Sequence, residues 1–295
     1  MFTRQPNTEY ILSLSYGKDS LACLEAIKQL GYPLDRIVHA EVWATDTIPA
    51  DLPPMVEFKK KADAIIKERY GIEVEHYRAD LDYESGFYRK IPPETIAKRK
   101  EKGKHISKYQ QYDDERAIWG FPIVFGPWCN SRLKMEAIKK INRSQTIQVE
   151  RERSSQIVQI LGIAADEPKR IERHSKRDDV ILPLVEIGWT EAMCREWCEQ
   201  NDLLSPIYTT ATRGGCWFCH NQGVDQLRLL RKQYPELWKL LLKWDKDSPT
   251  TFKPDGHTVH DFDKRFYMED LGLLIPNDTK FRWKQVDQYF IEEDT

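Results

Sequence analysis

"LSLSYGKDSLACLEAI", Leu12 to Ile27, sets an apolar run, a Ser-x-Gly-Lys-Asp-Ser turn and an amphipathic stretch end to end. The run begins in "YILSLS", Tyr10 to Ser15, which alternates apolar and small residues as a buried strand does. Downstream, "DSLACLEAIKQLG" carries apolar residues at helical spacing and ends on Gly31, a helix stop. The turn between them is suited to an anion. Gly17 admits a positive φ and a close backbone approach to a ligand. Amides exposed at a helix N-terminus bind anions, and the helix dipole adds to the attraction. Ser13, Ser15 and Ser20 supply hydroxyls and Lys18 a charge. The ordinary phosphate loop, G-x-x-x-x-G-K-[ST], has a further glycine and a longer spacer, so this turn is a different motif. The plain alternative is a strand–helix turn capped by Asp19 or Ser20.

The pattern continues beyond the turn. "RIVHAEVWA" reads as a second strand, a helix runs from about Pro54 to Tyr70 with Gly71 closing it, and "IEVEHY" reads as a third strand. This β-α-β-α-β order predicts an α/β fold: a parallel, Rossmann-like sheet whose ligand sits beyond the carboxyl ends of its strands. From Asp80 to Trp119 the periodicity dissolves. "YRKIPPETIAKRKEKGKHISK" is polar and basic, and is read as a lid at about residues 84–118 that closes over a nucleotide or touches a nucleic-acid backbone, or as a solvated loop. A helix near Ser131 to Ile141, a strand "SQIVQILGI", a strand and turn in "DVILPLVEIGW" and a helix "TEAMCREWCEQN" with Thr190 as N-cap follow. The domain expectation is residues 1–205 as the nucleotide-binding α/β domain and 206–295 as a cysteine-containing, mostly helical region. There Pro235 breaks two helical stretches, and the final "DTKFRWKQVDQYFIEEDT" has no clear assignment.

Of the 295 residues, 40% are apolar and 31% charged, with a net charge of −2. That supports a sizeable core and excludes a global basic field for nucleic acid. No apolar run approaches the roughly 18 residues of a membrane span, and "MFTRQPNTEY" lacks the apolar centre of a signal peptide. The expectation is a cytoplasmic protein with no membrane partner.

Six cysteines are present: Cys23, Cys129, Cys194, Cys198, Cys216 and Cys219. In a reducing compartment their spacing is a metal or redox question. Cys216 and Cys219 form C-x-x-C, and Cys129 adds a distant thiolate. Three thiolates suit an iron–sulfur cluster with one open iron, or zinc completed by His220. Packing beside Trp217 is the plain reading. Cys194 and Cys198 share a helix face with apolar residues and read as core, as does Cys23.

Arg132 and Lys134 stand close to Cys129, where cations would hold a phosphate or sulfate. In "GIAADEPKR" Gly162 ends a strand at the ligand edge, Asp166 and Glu167 offer carboxylates for magnesium, and Arg170 and Arg173 offer guanidinium groups for phosphate. Asp46, in "WATDT", follows the second strand as a ligand contact or a polar loop cap. "HTVH", His257 to His260, has metal-like spacing without partner ligands and is read as a loop.

"SYGKDS" resembles the pyrophosphate (PP) loop of the adenine-nucleotide alpha-hydrolase superfamily, usually written S-G-G-x-D-S, with Tyr16 at a glycine position. Four further segments fall in the order seen in the phosphoadenosine phosphosulfate (PAPS) reductase family: "GFPIVFGPWCNSRLKMEAIKKI", "ILGIAADEPKR", "LPLVEIGWTEAMCREWCEQNDLLSPIY" and "RGGCWFC". Together with the loop they span about two-thirds of the chain, with Ala164 where that family often has Arg. The resemblance implies ATP cleavage between the α and β phosphates with Mg2+, and adenylation of an acceptor. Ser13, Ser15, Tyr16, Gly17, Lys18, Asp19, Ser20, Asp46, Arg132, Gly162 and Arg170 would hold the nucleotide, with Lys18, Asp19 and Lys134 as the catalytic set. Iron–sulfur tRNA-thiolating relatives use three cysteines and an open iron. That comparison implies a [4Fe–4S] cluster on Cys129, Cys216 and Cys219, a sulfur-donor protein, and tRNA or DNA as acceptor. Sulfonucleotide reductases resolve their intermediate with a cysteine near the C-terminus, and no cysteine follows Cys219 here. Reduction with an external thiol and a nucleotide-binding module without turnover are the alternatives.

Overall fold

The computed structural model describes residues 3–79, 81–82, 87–88, 94, 97–98, 101–102, 111–123, 128–138, 156–209 and 215–293. The chain divides into two compact units: Met1–Gln111 with Asn130–Cys216, and Tyr112–Cys129 with Trp217–Thr295.

The first unit is built on a five-stranded sheet. Its strands are β1 (Thr8–Ser13), β2 (Arg36–Glu41), β3 (Val74–Arg78), β6 (Gln156–Ile160) and β7 (Val180–Ile181), in the order β3-β2-β1-β6-β7. A separate short ribbon pairs β4 (Leu81–Asp82) with β5 (Phe87–Tyr88). Every pairing in the large sheet is parallel. Helix α1 (Lys18–Leu30) crosses from β1 to β2, and α2 (Pro53–Tyr70) from β2 to β3. The sheet therefore grows away from β1 in one direction and resumes from β1 in the other at β6. That reversal is the switch point at which open α/β sheets bind ligands.

Alternation along the strands decides which side chains meet the helices. Tyr10, Leu12 and Ile37 share one core with Leu21, Leu24 and Ile27 of α1 and with Met55, Phe58, Ala62 and Ile66 of α2. Ile11 and Val38 belong to a smaller cluster with Tyr77 and Ile157. Both helices end on a glycine in the left-handed region, Gly31 at φ 65° and Gly71 at φ 70°. After β6 come α3 (Pro168–His174), then β7, α4 (Pro183–Glu186) and α5 (Glu191–Gln200). The strand-and-turn expectation for "DVILPLVEIGW" is thus corrected in part, because Pro183 at the first helical position starts one helical turn. The Thr190 hydroxyl accepts from the Met193 amide at 3.4 Å, capping α5 as its sequence implies. Cys23, Cys194 and Cys198 are fully buried in the main core. The expected helix after Ser131 opens as a π turn over Asn130–Lys134.

The second unit is helical: α6 (Tyr112–Trp119), α7 (Val224–Gln233), α8 (Pro235–Lys246), α9 (Val259–Asp270) and α10 (Lys284–Glu293). Its interior is aromatic. Tyr112 lies 3.9 Å from Phe218 between ring centres, and Trp217 stacks on Trp244 at 5.4 Å. Most of the basic stretch read as a lid lies outside the described residues. Its end, residues 112–118, is helix rather than loop. The helix was hidden because Glu115 and Arg116, polar in sequence, are buried, with Arg116 donating to the Trp244 carbonyl at 3.0 Å. The unassigned C-terminal segment forms α10, and Val286 packs with Met268 and Leu274. "HTVH" is a helix start. Thr258 caps α9 in a box with Asp261, His257 stacks on Trp283 at 4.0 Å, and His260 pairs with Asp245 at 2.6 Å.

Candidate functional site

The carboxyl end of β1 runs directly into the turn and then into α1. Gly17 is the residue before the helix, extended at φ −76° and ψ 155°, and no side chain caps the helix. Neither Asp19 nor Ser20 is the cap. The Ser20 hydroxyl instead ties the turn together, donating to the Gly17 carbonyl at 3.0 Å and accepting from the Ser15 amide at 3.2 Å. The amides of Asp19 and Ser20 make no hydrogen bond to another described residue, and the Lys18 amide reaches only the Tyr208 hydroxyl at 3.3 Å. Orphan amides at a helix start are an anion site. Gly17 and Asp19 at this helix start line a cavity of about 430 Å³, together within this unit with Ser13, Ser15, Tyr16, His39, Lys59, Lys134, Tyr208 and Cys216, among others; Lys18, Ser20 and Gly162 are not part of the lining.

Gly162 holds the opposite wall of the turn. A Cβ there would lie 2.5 Å from the Ser20 Cα and 2.7 Å from the Asp19 carbonyl oxygen. Only a glycine lets the loop after β6 approach the first turn of α1 this closely. The sequence placed Gly162 at the ligand edge; its contact is with the helix backbone.

Lys18 is not among the residues that line the cavity. Its ammonium is 3.1 Å from Asp19 and 3.4 Å from Glu191. Burial alone would lower its pKa, but these carboxylates outweigh that and hold it above the ordinary lysine value. Burial raises the Asp19 carboxyl against the pull of Lys18. Asp19, Glu167 and Glu191 bring three carboxylate oxygens within 4.8 Å of one another, a hard-oxygen set of the kind magnesium takes. Asp166 instead accepts from the Glu191 amide at 3.0 Å, and Arg170 pairs with Glu167 at 2.7 Å. Asp46 is exposed; Asp46, Arg132 and Arg170 are not part of the cavity lining.

Behind the turn lies a polar network that sequence reading missed. Tyr16 is fully buried with φ 56°, the left-handed region. That conformation costs a side-chain-bearing residue roughly 1–2 kcal/mol. Its hydroxyl donates to Asp63 of α2 and lies 3.1 Å from Nε2 of His76 on β3. His76 bridges Asp63, at 3.0 Å, and Glu41, at 2.8 Å. Burial lowers the His76 pKa, but Asp63 and Glu41 outweigh it and bring it to about 9. Burial raises Glu41, yet its bonds from His76 and Trp43 bring it down to about 2. His39, paired in register with His76, makes its own contacts: Nδ1 meets the Leu14 carbonyl at 2.8 Å and Nε2 the Lys59 ammonium at 2.7 Å. Burial and Lys59 push the His39 pKa well down, so it is neutral, donates from Nδ1 and accepts at Nε2. His39, Glu41 and His76 also bring metal-type atoms within 4.8 Å. The Lys59 ammonium already fills the His39 lone pair and repels a second cation, so this is a hydrogen-bond network and not a metal centre. The sequence signal was an ionisable residue on the buried stripe of an element: His39 two positions from Ile37, and Lys59 four from Met55.

All six cysteines are free thiols. Burial raises Cys23, and brings Cys194 and Cys198 up to about 12, so these are inert packing groups. Cys198 also donates to the Lys18 carbonyl at 3.3 Å, steadying the start of α1. Cys129, Cys216 and Cys219 are half-buried and His220 is buried. Cys216 lines the cavity of the first unit. Cys129, Cys219 and His220 belong to the second unit, where Lys253 donates to the His220 carbonyl at 2.5 Å and the Gln222 carbonyl at 2.6 Å, fixing the loop after Cys219.

Fold and site together define an α/β protein with a strand–turn–helix cavity at the switch point of a parallel sheet. No known family's profile matches the chain. No curated protein matches it either. Among solved structures, ten chains match. One is the U34-tRNA thiolase NcsA from Methanococcus maripaludis with its [4Fe–4S] cluster, at 14% identity and a TM-score of 0.32, covering 94% of this chain and 75% of that one. A likeness this slight carries no argument about function.

Proposed function

We propose that this chain is a PP-loop ATP pyrophosphatase of PAPS-reductase-like type that adenylates an acceptor for sulfur transfer. The observation that carries the reading is the turn itself. Amides of Asp19 and Ser20 without a hydrogen-bond partner among the described residues sit at the start of α1, at the switch point, where Gly17 and Asp19 line a cavity of about 430 Å³. In this reading the helix start holds the β and γ phosphates; Asp19, Glu167 and Glu191 would hold Mg2+, which when bound would supply charge to offset that of the phosphates. Lys18, which pairs with Asp19 and Glu191 in the free chain, would meet charge on the phosphates, and Lys134 on the cavity wall would meet charge at the α phosphate. The acceptor oxygen attacks the α phosphorus, the α–β bridging P–O bond breaks, and pyrophosphate leaves. A sulfur nucleophile then displaces AMP, which carries away the former acceptor oxygen.

The donor set is the one the resemblance names; Cys216 lies in the first compact unit, and Cys129 and Cys219 in the second. Cys129, Cys216 and Cys219 are free thiols, and three thiolates suit an iron–sulfur cluster with an open iron. Such a cluster would supply a binding place for inorganic sulfur, and Cys216 lines the cavity of the first unit. With His220 as fourth ligand the same residues would hold structural zinc. A tRNA acceptor and a sulfur-donor protein belong to the proposal.

The test uses anaerobically purified full chain, assayed for iron and sulfide and then supplied with Mg-ATP, sulfide and unfractionated tRNA. The reading predicts bound iron that each of Cys129→Ala, Cys216→Ala and Cys219→Ala loses, with AMP and pyrophosphate as products. ADP and phosphate as products overturn α–β cleavage; zinc without iron overturns the cluster.

A further inference from the structure

Tyr16 stands where the resembling loops carry glycine, and it adopts the conformation glycine adopts freely, with φ 56°. A tyrosine holds that conformation only if its surroundings over-determine it. Here they do. The ring is fully buried, edge-on to His39 at 4.8 Å between ring centres, and 5.3 Å from the Lys59 ammonium. The hydroxyl ends in the Asp63–His76 pair, contributed by α2 and β3. Its neighbours Ser15 and Gly17 are the middle of the anion-binding turn.

We propose that Tyr16 is a positioning residue. Its hydroxyl, latched by Asp63 and His76, holds Tyr16 in the left-handed conformation that sets Gly17 and Asp19, at the start of α1, on the cavity wall. A glycine at this position permits that conformation among others; the latched tyrosine imposes it. Ordering the turn before the ligand arrives lowers the entropy cost of binding a polyphosphate. The groups around His76 are Tyr16 from the turn, His39 and Glu41 from β2, and Lys59 and Asp63 from α2. Only the consequence for phosphate binding rests on the nucleotide reading. The latch is a property of the free protein.

Tyr16→Phe removes the hydroxyl and keeps the ring. Amide hydrogen exchange on the free full chain is the primary readout, compared with wild type, Asp63→Ala and the double variant. The latch predicts that the hydrogen-bonded amides of the turn, Ser15 to the Ser20 hydroxyl and Leu21 to the Gly17 carbonyl, exchange about tenfold faster in Tyr16→Phe while the melting temperature moves little. It also predicts that the double variant is no worse than Asp63→Ala alone, since both remove one interaction. Unchanged exchange in Tyr16→Phe, or additive effects, overturns the latch. If Tyr16→Phe does not fold, slow exchange retained in Asp63→Ala overturns it equally. In parallel, titration with ATP and with adenosine should show ATP binding weakened about tenfold in Tyr16→Phe and adenosine binding unchanged. A wild type that binds neither overturns the nucleotide reading, and the exchange data still decide the latch.

Discussion

His76 shows how one side chain ties a binding turn to its scaffold. At neutral pH it is an imidazolium between Glu41 and Asp63, because its pKa is raised to about 9 from 6.5. A raised histidine contributes stability that is complete below about 6.5 and is lost as pH climbs through about 9. Glu41 is depressed to about 2 from 4.5, so its contribution is complete above about 4.5 and is lost as pH falls through about 2. The midpoint of urea unfolding should therefore decline on both sides of the interval between those ordinary values. Each decline is on the order of 2 kcal/mol, with screening at these partly exposed groups allowed for. His76→Gln should flatten the alkaline decline; an alkaline limb identical to wild type would show that His76 is not its source. The pairings of this network could not be read from one sequence, although His39 and Lys59 stood out as ionisable residues on buried stripes. Tyr16, Glu41, Asp63 and His76 come from four separate places in the chain, and only the folded sheet brings them together. The turn was legible because its residues are consecutive. Its cap was misread because Ser20 bonds backward, to Ser15 and Gly17, instead of forward along the helix.

At the scale of elements, the strand–helix order was legible from periodicity alone. β1, α1, β2, α2 and β3 each carry one unbroken pattern, with Gly31 and Gly71 as stops. The pattern failed where packing uses polar groups, as in α6, or where the segment is short, as in the single turn of α4. The join between β6 and α1 is decided by Gly162. Gly162→Ala sets a methyl carbon 2.5 Å from the Ser20 Cα and 2.8 Å from its amide nitrogen. Backbone must move to admit it, which should destabilise the chain by roughly 1–3 kcal/mol in urea unfolding. A variant as stable as wild type would mean that the two elements separate freely and that the close approach does not shape the turn.

At the scale of the molecule, the chain forms an α/β unit that carries the turn after β1 and its cavity, and a helical unit that carries Cys129 and Cys219. The sequence placed a division near residue 205, whereas the compact units exchange a segment, residues 112–129, which a linear reading cannot anticipate. No helix among the described residues is long and apolar enough to cross a membrane. The central claim is that the turn after β1 grips the phosphates of an adenine nucleotide. Calorimetric titration of the full chain with Mg-ATP and with adenosine tests it most directly, in wild type and in Gly162→Ala. The account predicts that ATP binds at least tenfold more tightly than adenosine, that this preference falls in Gly162→Ala, and that adenosine binding is unaltered. Equal affinity for ATP and adenosine, or no binding of ATP at all, would contradict it.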